Sequence, residues 1–121
     1  MWLVVELRLR IFRRYEFSSA HYLPGHPKCG NMHGHNYVLE VGLETKGGEP
    51  LYLDFLDVDL RMRPIINKLD HRVLNDLIKY PSVENICEYL YNEIYLVRLP
   101  VRVIRLWEDS RSYCVLEVDK D

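Results

Sequence analysis

His33 and His35 are separated by a single glycine, and Cys29 stands four residues before His33 in the run KCGNMHGHNY. Neutral imidazole is a metal ligand and, near neutral pH, an acid–base group. The thiol leaves four roles open: a further ligand, a nucleophile, a proton-transfer group or an ordinary side chain. As a ligand it would close a zinc site and make it structural. Outside the ligand set it would leave a Lewis acid beside a base. Lys28 next to it, and a metal nearby, would both favour the thiolate.

Residues two apart on a strand point to one face, so both rings share the parity of Tyr37, Leu39 and Val41. His21 has the parity of Leu7, Leu9, Tyr15 and Phe17 in the preceding alternating segment. If that strand continues to His21 and pairs antiparallel with the next, His21 faces His33 and His35. Three imidazoles with a fourth position open form the ligand pattern of a catalytic zinc ion. His21, His33 and His35 are therefore the expected ligands and Zn2+ the expected cofactor. The competing reading is three unrelated histidines, each satisfied by hydrogen bonds. His26 lies in the intervening loop and is expected to be solvated. The carboxylates Asp54, Asp57 and Asp59 of DFLDVD read as a cap and a solvated helix face rather than a cation site.

Asp70 and His71 are adjacent in LDHRVLN. A carboxylate near an imidazole raises its basicity and fixes its tautomer, and with Cys29 such a pair suits acid–base or nucleophilic chemistry. The plainer alternative is a helix C-terminus with His71 against the negative end of the dipole. Glu108 follows the apolar run VIRLW. Its carboxylate suits an amidine-like donor pair such as the N–H edge of a pterin or guanine, or it simply starts a turn. Ser82 reads as a helix N-cap and Glu84 as a first-turn charge. Cys87 and Cys114 fall inside predicted elements as small core residues.

These residues need elements to position them. From Leu3 to Phe17 the odd positions are apolar except Arg13, which predicts a long half-buried strand. HPKCGN has turn chemistry, and alternation resumes at His33 until TKGGEP ends it. Val58, Met62, Ile65 and Leu69 predict a helix over 57–69, with Asp57 as the expected cap and Pro64 either kinking it or moving its start to Arg63. A second helix follows Pro81, capped by Ser82, with Val83, Ile86, Leu90, Ile94 and Val97 on its apolar stripe and Pro100 barring its extension. VRVIRLWE and SYCVLEV read as a hairpin around Asp109, Ser110 and Arg111. The order predicts an α+β domain with helices on one face of a mainly antiparallel sheet.

The length of 121 residues suits a single domain over 1–121. A net charge of −2 excludes the strongly basic footprint of a nucleic-acid binder, so no nucleic-acid partner is expected. No apolar run is long enough to span a membrane. Glu6, Arg8 and Arg10 interrupt the N-terminal apolar patch before a signal core forms, so a cytoplasmic protein is expected. Three cysteines without a CxxC argue against a disulfide framework or a cysteine-rich zinc finger.

FSSAH (Phe17 to His21), KCGNMHGHNY, LDF (Leu53 to Phe55), LDHRVLN, PSVEN (Pro81 to Asn85) and WE (Trp107, Glu108) occur in an order that resembles the 6-pyruvoyl-tetrahydropterin synthase / 6-carboxytetrahydropterin synthase family across nearly the whole chain. The resemblance implies the tunnelling fold (T-fold), a four-stranded antiparallel sheet with two helices between strands 2 and 3. It implies that three subunits close a barrel, often stacked into hexamers. It implies zinc on His21, His33 and His35 and a catalytic Cys29. Asp70 and His71 would complete a proton relay from a neighbouring subunit. Glu108 would anchor the pterin ring, assisted by the Ser82 and Glu84 region. The C-x-x-x-H-G-H spacing resembles the 6-carboxytetrahydropterin synthase branch of the queuosine pathway. The implied substrate is then 7,8-dihydroneopterin triphosphate, with acetaldehyde and triphosphate released. The alternatives are a pyruvoyl-forming or related pterin side-chain lyase, and a non-catalytic zinc-stabilised binding module with Cys29 as fourth ligand. The chain departs from the family pattern at Asp59, where lysine is frequent, at Ser82, where threonine is common, and in HPKC, which replaces GHKC.

Overall fold

The computed structural model describes residues 5–119. Four strands, β1 (Leu9–His21), β2 (His33–Thr45), β3 (Val101–Trp107) and β4 (Tyr113–Glu117), form one antiparallel sheet in the order β1-β2-β3-β4. Helices α1 (Phe55–Leu69) and α2 (Val83–Leu96) lie between β2 and β3 in sequence, with a 3-10 turn at Leu74–Asp76 between them. This is the α+β arrangement expected from the order of hydrophobic periods. No described helix is long and apolar enough to cross a membrane.

The first strand is shifted relative to its expected bounds. Leu3 lies outside the described residues, while Val5 and Leu7 precede β1 and are 71% and 87% exposed. The reason is the partner: the ladder runs from Leu9↔Thr45 to His21↔His33, and TKGGEP turns the second strand away beyond Thr45. Residues 5–8 have no ladder to join. At the other end β1 runs past Phe17 to His21, so its most buried residues, Phe17, Ser19 and His21, are the last ones.

Helix α1 begins two residues earlier than its apolar stripe suggested. Its cap is Asp54, whose Oδ1 accepts from the Leu56 amide at 2.9 Å. Asp57 instead pairs with Arg61 one turn on, at 3.2 Å. The helix continues through the exposed Pro64, and Val58, Met62, Ile65 and Leu69 stay buried on one face. Ser82 caps α2 as expected, accepting from the Asn85 amide at 3.2 Å. The helices cover one face of the sheet and enclose Tyr37, Leu39, Val41, Leu43, Leu90, Ile94, Ile104 and Leu106 with Cys87. Each such large apolar side chain stabilises the fold by about 1.5–3 kcal/mol.

The other face carries Phe12, Arg14, Glu40, Arg105, Trp107 and Tyr113. Trp107 stacks on Tyr113 with centroids 5.0 Å apart, and the Arg105 guanidinium sits 5.0 Å over Phe12. Phe12 lies across Gly42, where an added Cβ would stand 2.6 Å from the ring. The ladder register shifts between Gly42 and Leu43.

Candidate active site

The β1–β2 register ends on the pair His21↔His33, and Ser19 faces His35 one step inward. That register sets three imidazoles edge to face, with centroids 4.6 Å (His21–His33), 5.0 Å (His21–His35) and 4.9 Å (His33–His35) apart. One ring nitrogen from each lies within 4.8 Å of the others.

Backbone carbonyls fix two of the tautomers. His21 Nδ1 is 2.8 Å from the Pro81 carbonyl oxygen, and His33 Nδ1 is 2.7 Å from that of Asn31. A carbonyl only accepts, so each Nδ1 carries the proton and each Nε2 is bare. The two Nε2 atoms then face each other at 3.1 Å, lone pair to lone pair. Between two neutral rings such converging lone pairs repel, and a bound cation would relieve them. A tetrahedral ion with metal–nitrogen bonds of about 2.05 Å separates its ligand nitrogens by about 3.3 Å, so the residues fit a zinc-sized ion. Burial lowers the pKa of His35, as do the neighbouring His21 and His33, and this favours the neutral ligand form.

Glu108 follows β3, its amide bonded to the Ser112 carbonyl at 3.0 Å. Its Oε1 lies 3.6 Å from His21 Nε2 and 3.7 Å from His35 Nε2, so the residue expected to bind the pterin borders the histidine cluster. Two supports of His21 escaped the sequence. Tyr37 read only as core, yet its hydroxyl is 3.5 Å from His21 Nδ1; its shared parity with His33 and His35 was the available signal. Burial raises its pKa, so it remains a phenol. The Pro81 carbonyl had no sequence signal, because a backbone oxygen sixty positions away carries no side-chain signature.

Cys29 lies in the loop between β1 and β2, half-buried, with a free thiol. It is not a member of the histidine cluster. The loop folds back on itself through Leu23 N–H to Cys29 O at 2.7 Å and His26 N–H to Leu23 O at 3.0 Å. His26 is exposed but does not simply face water. Its Nδ1 accepts from the amides of Lys28 at 3.1 Å and Cys29 at 2.8 Å.

Asp70 and His71 do pair directly, Oδ2 to Nδ1 at 3.0 Å. Asp70 ends α1, and its Oδ1 accepts from the Ser18 amide at 2.9 Å. The Ser18 amide, then His71, holds the Asp70 carboxyl below its usual range. The His71 amide returns a bond to the Ser18 carbonyl at 2.6 Å, so the segment is docked along the β1 edge. His71 has a left-handed backbone, φ 58°, and its side chain is 82% exposed. It borders a shallow cavity of about 440 Å³ lined by Ser18, Ser19, Ala20, Gly34, His35 and Asn36. Ser18, Ala20, Gly34 and Asn36 are on the sheet face opposite His21 and His33, because they have the other parity. The cavity thus reaches the histidine cluster at His35, while Asp70 and His71 are not themselves members of that cluster. Ser82 and Glu84 stand at the start of α2, immediately after the carbonyl that holds His21.

A family model described as 6-pyruvoyl tetrahydropterin synthase matches residues 10–119. The chain belongs to this family. A protein of Archaeoglobus fulgidus, provisionally named 6-carboxy-5,6,7,8-tetrahydropterin synthase, is 40% identical over 98 residues, covering 80% of this chain and 85% of its own. The 6-carboxy-5,6,7,8-tetrahydropterin synthase of Haemophilus influenzae is 29% identical over 87% of this chain and 96% of its own. The dihydroneopterin monophosphate aldolase of Pyrococcus furiosus is 30% identical over 92% and 99%. The fold is also that of the 6-pyruvoyl tetrahydropterin synthase of Caenorhabditis elegans, with a TM-score of 0.82 at 21% identity over 97% of this chain and all of the other.

In this member of the 6-pyruvoyl tetrahydropterin synthase family, the structure gives Asp59 two partners on the first strand. Asp59 takes the Arg13 guanidinium through both carboxylate oxygens, at 2.9 and 2.7 Å, and accepts from Tyr15 Oη at 2.7 Å. Arg13 was the single break in the apolar parity of the first strand. The two irregularities are one pair.

Proposed function

We propose that the chain is a zinc-dependent pterin lyase converting 7,8-dihydroneopterin triphosphate to 6-carboxy-5,6,7,8-tetrahydropterin, with release of acetaldehyde and triphosphate, in a cytoplasmic 7-deazapurine (queuosine-type) pathway. The observation that carries this reading is a three-histidine cluster that leaves Cys29 outside its ligand set. The C-x-x-x-H-G-H spacing and the names of the Archaeoglobus and Haemophilus relatives support the carboxy-forming branch.

His21, His33 and His35 would hold the zinc ion, which when bound supplies Lewis-acid stabilisation of charge on the substrate's side-chain oxygens. Cys29 takes a proton from the substrate side chain. His71 exchanges protons with it through Nε2, the nitrogen left free by the Nδ1 contact with Asp70. Tautomerisation moves the ring double bond and expels triphosphate. One water then adds to the side-chain carbonyl next to the ring. Cleavage of the carbon–carbon bond beyond it leaves that carbon as the carboxylate, while the two-carbon fragment takes up a proton and departs as acetaldehyde. Glu108 accepts the N–H edge of the pterin, with Ser82 and Glu84 assisting at the start of α2.

In the same reading the protein is a homo-oligomer, a trimer or hexamer, in which Asp70 and His71 of one subunit serve the histidine cluster of the next. The exposed, left-handed His71 and the sheet face without helices support this.

The test is mass-spectrometric product identification with zinc-loaded protein and dihydroneopterin triphosphate. The 6-carboxy product with acetaldehyde is expected, and Cys29→Ala should abolish it. No turnover, or a Cys29→Ala variant equal to wild type, sinks the proposal. The Pyrococcus relative favours a second reading, aldol cleavage of dihydroneopterin monophosphate. Faster turnover of the monophosphate than of the triphosphate would establish that reading instead.

A further inference from the structure

We propose that His26 is the positioning residue of Cys29. Its imidazole Nδ1 clamps the loop that carries the thiol, a role that rests on the reading of Cys29 as the proton-transfer group.

The sequence H-P-K-C builds the clamp. Pro27 has no amide hydrogen and fixes its own φ for the second position of a turn. The first free amides after His26 are therefore those of Lys28 and Cys29, and His26 Nδ1 accepts from both, at 3.1 and 2.8 Å. This is the geometry in which an asparagine or aspartate oxygen closes a turn, with an imidazole nitrogen in the oxygen's place. Three further features hold the ring's own backbone. His26 N–H donates to Leu23 O at 3.0 Å, and Leu23 N–H donates to Cys29 O at 2.7 Å. Gly30 passes so close that a Cβ there would stand 2.6 Å from the His26 carbonyl oxygen. The loop from Leu23 to Gly30 is thus tied at Cys29 through both its amide and its carbonyl, with His26 at the centre.

Two consequences separate this role from the others open to a histidine. An Nδ1 that accepts two amide hydrogens is bare, so the neutral ring carries its proton on Nε2. That Nδ1 is already engaged, and His26 is outside the metal-capable cluster.

The experiment compares His26→Ala, His26→Asn and His26→Gln in the zinc-loaded protein. Asparagine Oδ1 occupies the position of Nδ1, whereas the glutamine oxygen lies one bond further out. Readouts are amide hydrogen exchange at Lys28 and Cys29, the alkylation rate of Cys29 mapped by peptide mass spectrometry, zinc per chain, and kcat. His26→Ala is expected to speed exchange at both amides and lower kcat by about tenfold or more, the scale of two lost hydrogen bonds. Its alkylation rate at Cys29 shifts with them while zinc stays bound. His26→Asn is expected to stay within about threefold of wild type, and His26→Gln to behave like alanine. Wild-type exchange in His26→Ala, or equal rescue by glutamine and asparagine, overturns the clamp. If alanine prevents folding, the asparagine–glutamine contrast decides alone. Protected amides in a wild type that turns over no pterin would fail the reaction reading while leaving the clamp intact.

Discussion

The Pro81 carbonyl oxygen stands 2.8 Å from His21 Nδ1, joining the last residue of β1 to the residue before the α2 cap. A second carbonyl does the same for His33. The orientation of both imidazoles thus comes from backbone, an arrangement common around metal-binding histidines. His33→Ala should therefore lower zinc affinity by about 100-fold or more, measured by metal analysis after dialysis against a chelator. Cys29→Ala should retain one zinc per chain. Loss of zinc in Cys29→Ala would return the thiol to the ligand set.

The cap of α2 carries Pro81 with it. Ser82→Ala should destabilise the protein by about 1 kcal/mol in urea unfolding, while Ser82→Thr should be near neutral. Because the cap steadies the carbonyl that orients His21, zinc should also dissociate faster from Ser82→Ala. Unchanged zinc release alongside reduced stability would show that cap and metal centre are independent.

Arg13 and Asp59 form a two-point pair from β1 to α1, with Tyr15 on the same carboxylate. Either residue changed to alanine should lower the urea midpoint, and the double variant should lose less than the sum, since one interaction is removed once. The Arg13 and Tyr15 hydrogen bonds depress the Asp59 pKa. A depressed carboxyl contributes stability that is present above its unfolded pKa, about 4, and lost as pH falls through the lower folded value. The wild type should therefore lose more stability than Asp59→Asn on acidification below about pH 4. Parallel curves for the two proteins would refute this.

His71 holds φ 58° without being glycine. His71→Val should destabilise the fold, because a β-branched residue is an outlier in the left-handed region, whereas His71→Asn should fold normally. His71→Asn should lose about 10²–10⁴ in kcat if its imidazole transfers protons. Mixing His71→Asn with Cys29→Ala subunits should restore part of the activity if the relay crosses between chains. No recovery on mixing, after subunit exchange is verified, would place the relay and the thiol in one chain.

Periodicity carried the layout of this protein. The parity shared by His33, His35 and the apolar positions to Val41 identified the face on which the histidine cluster lies, and Ser82 after Pro81 identified the helix start, because both signals are local in sequence. The start of β1 was not legible, since a strand ends where its partner ends, and that partner is Thr45. The cap of α1 was misplaced by three residues because Asp54 and Asp57 carry the same side chain and only the chain's approach chooses between them. Contacts between distant segments came from the fold alone: Pro81 with His21, Arg13 with Asp59, and the docking of Asp70 on Ser18. Two of these use backbone groups, which every residue carries alike, and the third joins charges that look like separate irregularities until the fold sets them side by side. Local sequence marked which side chains carry groups capable of chemistry; the packing of β1 against β2 and the approach of both helices set which atoms of His21, His33 and His35 face one another.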